Sequence, residues 1–136
     1  MISMAGTPTM FPTLLYRDVP GALGQLTEAF GFAVAVRYDG ADGQVLHAEL
    51  AYGDGVVMVG SKGRGSPFDE AMKGAGPSGV YVVVEDPDAH CERARRAGVE
   101  ILVPPTDQDY GARDYLARDA EGNVWSFGTY RPGGAG

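Results

Sequence analysis

One order of elements occurs twice in this 136-residue chain, about 68 residues apart, and any fold must house both copies. The order is a strand, a helix, then three strands. In the first copy an apolar strand at Thr13–Arg17 is bounded by Pro12 and Asp18. Asp18 can accept from the first free N–H groups of a helix, and Pro20 suits its first turn. Leu23, Leu26 and Phe30 recur at i, i+3 and i+7 as one apolar stripe, and Gly31 ends it. Strands are expected at Ala33–Tyr38, Val45–Ala51 and Val56–Gly60. The segments Asp39–Gly43 and Gly53–Gly55 hold the Gly and Asp that tight turns require.

Residues Lys62–Ser78, rich in Gly, Ser and Pro, read as a connecting or mobile loop. Its start, Gly60-Ser-Lys-Gly-Arg-Gly-Ser, lacks the spacing of a phosphate-binding loop. The second copy then opens with a strand at Gly79–Glu85. Asp86 caps a helix with Pro87 at its first position, running to Gly98. A strand at Val99–Val103 should break at Pro104 and Pro105, and strands follow at Arg113–Arg118 and Asn123–Thr129 around a turn at Asp119–Gly122. Asp18-Val-Pro thus answers Asp86-Pro-Asp, and Tyr52-Gly-Asp-Gly-Val answers Asp119-Ala-Glu-Gly-Asn-Val.

Composition excludes several functions. With 44% hydrophobic and 21% charged residues the chain should fold as one domain, 1–136, without disulfides or a structural metal. No apolar run reaches the ~18 residues of a membrane span. The stretch Met1–Phe11 lacks an export signal, and a single cysteine, Cys91, fits a reducing compartment, so a cytoplasmic location is expected. A net charge of -7 argues against nucleic acid as partner, which needs Lys and Arg against its phosphates, and leans toward cationic ligands. The cluster Arg93, Arg95 and Arg96 falls among acids on the second helix and reads as a solvated face.

The doubled order, together with Tyr110-Gly-Ala-Arg-Asp-Tyr and Asp119-Ala-Glu-Gly-Asn-Val-Trp-Ser-Phe, resembles the vicinal oxygen chelate superfamily, in particular its glyoxalase/bleomycin-resistance-protein group. The resemblance runs from about Phe11 to Tyr130. It implies an α+β fold of two βαβββ modules, about 11–61 and 79–130, each curling a mixed sheet into a cup. It also implies homodimers, and in enzymes of the group a divalent metal held by His, Gln or Glu.

The implied ligand positions fall here on Phe11, Met58, Gly79 and Ser126. A phenyl ring and a bare hydrogen donate nothing, a thioether is soft, and a neutral hydroxyl is weak. The chain has only two histidines, His47 and His90, and His90 points about 100° away from its neighbour Cys91 on a helix. No metal and no cofactor are therefore expected. His90 and Trp125 are read as packed core groups, and Cys91 as a buried inert thiol.

Strand alternation supplies the candidate ligand-binding residues. His47 and Glu49 share a face; Met58 lines the cup of the first module with Tyr81 opposite, and the resemblance implies that Ser126 faces the cup as well. Arg113 and Tyr115 share a face of their strand and answer His47 and Glu49 by repeat, and the resemblance implies that Tyr110 and Arg113 stand at the cleft rim. Arg113 has a second reading, an ion pair with Asp107 or Asp109. Such a mostly apolar lining with a few polar groups suits a partly aromatic small molecule. The leading expectation is a metal-free protein that sequesters a drug-like ligand in a cleft of a homodimer, as antibiotic-resistance relatives do. The alternatives are a metal-dependent lyase, isomerase or dioxygenase of the same superfamily, and a sensor domain using Lys62–Ser78 as its contact.

Overall fold

A computed structural model of the chain describes residues 8–133; most of the Met1–Phe11 stretch lies outside the described residues. The chain divides into two compact units. One comprises the chain through Thr27 with Gly31–Ala75, the other Glu28–Phe30 with the chain from Gly76. Each holds one four-stranded mixed sheet, so the fold is α+β, built from two copies of the same order.

The first half of the chain runs β1 (Thr13–Tyr16), α1 (Val19–Phe30, of which Glu28–Phe30 is counted with the second unit), β2 (Ala33–Asp39), β3 (Val45–Tyr52) and β4 (Gly55–Ser61). Asp18 Oδ1 accepts from Gly21 N at 3.0 Å, which starts α1. The helix ends because Gly31 turns left-handed at φ 77, a conformation without penalty only for glycine. The sheet order is β1-β4-β3-β2, with β1 and β4 parallel and the other pairs antiparallel. Leu14, Tyr16, Ala48, Leu50, Val57 and Val59 are buried on one face of this sheet.

Lys62–Ser78 was expected to be without structure of its own. Instead it contains a short helix, α2 (Pro67–Ala71), started by Ser66. Asp69 Oδ2 accepts from Gly63 N at 3.0 Å and Gly65 N at 2.9 Å. The Gly-rich backbone after β4 therefore closes around a carboxylate of its own chain.

The second unit runs β5 (Gly79–Val83), α3 (Pro87–Arg96), β6 (Glu100–Asp107), β7 (Arg113–Arg118) and β8 (Val124–Gly128), in the sheet order β5-β8-β7-β6. Asp86 Oδ1 caps α3 through Ala89 N at 3.1 Å. The break expected at Pro104 and Pro105 does not occur. β6 is the outer strand, and its pairing with β7 slips between Val103 and Thr106, so the prolines occupy an irregular stretch where no ladder N–H is missed. Between Ile101 and Val103 lies another slip, matched in the first unit between Val34 and Val36. The repeat thus extends to its irregularities.

α3 packs on β6 and β7 over a core of Trp125, Phe127, Tyr115, Ala117, Cys91 and Ala94. Phe30 belongs to this unit and stands 4.7 Å from Phe127 and 5.8 Å from Trp125, ring centre to ring centre. His90 completes the cluster, as the alternation of α3 implied. Its Nε2 meets the Phe30 carbonyl at 2.9 Å and its Nδ1 the Tyr115 hydroxyl at 2.6 Å.

Candidate functional site

Each sheet buries one face and leaves the other half-exposed, and the strand register states which residues share the open face. In the first unit Thr13, Met58, Glu49 and Val36 lie in one row across the sheet, and Leu15, Gly60, His47 and Tyr38 in the next. His47 and Glu49 therefore take the face that alternation gave them. Their side chains meet, Nε2 to Oε2, at 2.8 Å, and the Tyr38 ring stacks near His47 at 6.2 Å. Met58 pairs with Glu49 in the register and sits beside this dyad.

In the second unit Tyr81, Ser126, Leu116 and Val103 form one row of the open face. Val83, Gly128, Asp114 and Thr106 form the next. Tyr81 and Ser126 are thus neighbours. Arg113 and Tyr115 are not with them, and their expected place is corrected here. Tyr115 is fully buried against His90 and Phe127.

Arg113 shares the Tyr115 side of β7 and forks onto Asp88 of α3, with Nε at 2.9 Å and Nη2 at 3.0 Å. Its Nη1 donates to Asp107 at 3.0 Å. Of the two acids named as alternative partners, Asp107 is the one used. Hydrogen bonds from the guanidinium hold the Asp88 carboxyl below its usual range, and the two acids in turn raise the Arg113 pKa.

The cause of the slip is the turn before β8. In the first unit Tyr52 pairs with Gly55 across two residues; in the second, Asp119 N bonds the Asn123 carbonyl across three. One additional turn residue moves the partner of Gly128 from position 113 to Asp114. A one-residue change of register exchanges the faces of a whole strand. Asp114 and Leu116 are therefore the open-face residues that counting from the repeat missed. The signal was present in the unequal turn lengths.

Tyr110 is 64% exposed, and its ring meets that of Tyr130 edge-on at 5.7 Å. Tyr130, which no strand pattern singled out, accepts a 2.6 Å hydrogen bond at its carbonyl from the Tyr81 hydroxyl. Asp114 Oδ1 accepts from Gln108 Nε2 at 2.9 Å. The Asp119 motif, by contrast, serves the fold. Asp119 is buried and accepts from Glu121 N, Asn123 N, Asn123 Nδ2 and Trp125 Nε1.

Residues 11–127 match the family model for the Glyoxalase/Bleomycin resistance protein/Dioxygenase superfamily. The chain belongs to this superfamily. The crystal structure of TioX from Micromonospora sp. ML1 is similar to it at 36% identity and a TM-score of 0.79, over 91% of this chain and 99% of that one. A glyoxalase/bleomycin resistance protein/dioxygenase from Nocardioides shares the fold at 22% identity and a TM-score of 0.64, over 100% of this chain and 93% of that one. The protein Mb0911c of Mycobacterium bovis is 30% identical over 125 residues, 89% of this chain and 82% of its own length.

Enzymes of the superfamily imply a divalent metal, and the residues present at its positions do not fit one. Phe11 precedes β1, Met58 and Ser126 lie on the open faces, and Gly79 pairs with Val124. Ser126 offers one neutral oxygen, and the other three offer none. Among the described residues no three His, Cys, Asp or Glu side chains come together as a metal would need.

Proposed function

We propose that this superfamily member is a metal-free binding protein that sequesters a drug-like, partly aromatic small molecule on the open faces of its sheets. The observation that carries this reading is the donor set Phe11, Met58, Gly79 and Ser126, which replaces ionic ligands with apolar or weakly polar groups. Likeness to a bleomycin-resistance family supports the same reading. The open faces combine apolar groups (Met58, Leu116, Val83) with a few polar ones (His47, Glu49, Ser126, Tyr81), the mixture that binds such ligands by shape with a small number of fixed hydrogen bonds. Two copies pair to enclose the ligand, and the protein acts in a reducing cytoplasm, where the buried Cys91 stays a thiol.

Titration calorimetry against cationic glycopeptide and quinone-type antibiotics tests the binding. Saturable uptake supports the proposal, and absence of heat across both classes removes the resistance reading. Elemental analysis of protein purified without chelators is the second measurement. Stoichiometric nickel, zinc, iron or manganese would turn the assignment to a lyase, isomerase or dioxygenase. Sedimentation should give about twice the chain mass of 14.3 kDa.

A further inference from the structure

Asp114 is a half-buried carboxylate on the open face of the second sheet, and it has no cationic partner among the described residues. Its one side-chain bond is to the neutral amide of Gln108. Other carboxylates on the open faces have partners: Glu49 is paired with His47 and Glu100 with Arg118. A carboxylate drawn partly out of water with a single neutral partner retains most of its attraction for a cation.

A tyrosine, Tyr81, stands beside it. Gly128 opposes Asp114 in the ladder, and a Cβ added there would lie 2.7 Å from Asp114 Cβ and 2.9 Å from the Tyr81 hydroxyl. The missing side chain is what lets both residues lean over that point. Tyr81 then reaches Tyr130, whose ring meets Tyr110, so three phenols follow one another from the carboxylate outward. Burial raises the Tyr81 pKa, and Asp114 and then Tyr110 raise it further, so this phenol stays neutral.

We infer that Asp114, with Tyr81, Tyr110 and Tyr130, forms a subsite for an organic ammonium group carried by the ligand. An ammonium is attracted by aromatic faces as well as by the carboxylate, and a carboxylate beside Tyr81, with the Tyr130 and Tyr110 rings further out, offers both to a ligand that extends along them. Alkylation of the nitrogen matters little to such a subsite, because neither attraction requires an N–H. The inference rests on the small-molecule reading above and specifies one chemical group of the ligand.

The test uses the full chain with two probes of one shape, benzyltrimethylammonium and its uncharged carbon isostere neopentylbenzene. Binding is followed by the backbone amide signals of Tyr81, Asp114 and Gly128. The cation should bind at least about tenfold more tightly than the isostere, a difference near 1.4 kcal/mol. Asp114→Asn, which keeps the shape and the Gln108 contact, should remove that preference. Tyr110→Leu, at an exposed ring with no hydrogen-bonding role in the fold, should weaken the cation about threefold. It decides the matter if the first variant does not fold.

Equal affinity for the two probes, or a cation affinity unchanged by both variants, overturns the subsite. Should the cation fail while neutral drug-like ligands still bind in calorimetry, the subsite is wrong and the binding function stands. Should the cation bind through Asp114 while the drug classes do not, the subsite stands without that function.

Discussion

His90 is held by hydrogen bonds at both ring nitrogens. The Phe30 carbonyl can only accept, so Nε2 carries a proton, and a neutral ring meets both bonds with Nδ1 accepting from the Tyr115 hydroxyl. Burial pushes the His90 pKa below its ordinary value, the bond to Phe30 opposes this, and the charge of Arg93 lowers it again. With the folded value below the unfolded one, the unfolded chain takes up the proton first as pH falls. The stabilising contribution is therefore complete above the unfolded pKa of about 6.5 and is lost as pH falls through the folded value. Thermal melts should be nearly level from pH 8 to 7 and decline below about 6.5. In His90→Gln that decline should shrink, and an unchanged slope would place the titration elsewhere.

The turn between β7 and β8 is held by one side chain. Four donors converge on Asp119, among them the indole N–H of the fully buried Trp125. Asp119→Ala removes an acceptor from the indole and from the Asn123 amide in a buried setting, at a cost of about 3 kcal/mol in urea unfolding. In the Gly-rich segment after β4, Asp69→Ala should expose Gly63 N and Gly65 N, and amide exchange at both should accelerate while that of β4 does not. These two acids also explain what the sequence could and could not tell. Caps, glycine stops and alternation act locally, so α1, β3, β7 and the face of His47 and Glu49 were legible. The faces of Arg113 and Tyr115 were not, because they depend on how many residues the Asp119 turn consumes before pairing resumes. The order at Asp69 was equally hidden, since it arises from a carboxylate returning to glycine N–H groups that the letters present as a loose loop. Asp114 escaped notice for the first reason, although it lies inside the Tyr110–Tyr115 motif.

For the whole molecule, the charge of -7 and the carboxylate at position 114 act on different steps of binding a cationic ligand. A net negative field draws a cation toward the protein from beyond contact, and salt screens it, with a Debye length of about 30 Å at 0.01 M and about 8 Å at 0.15 M. The association rate of benzyltrimethylammonium should therefore fall across that range, and that of neopentylbenzene should not. Asp114→Asn changes the net charge only from -7 to -6, so most of the salt dependence of association should survive in the variant. Its loss should appear in dissociation, because contact with the carboxylate is what retains the bound ammonium. Stopped-flow kinetics at two ionic strengths on both proteins separate the steps. If the variant instead lost the salt dependence of association and kept its dissociation rate, Asp114 would be steering the ligand and some other group would be holding it.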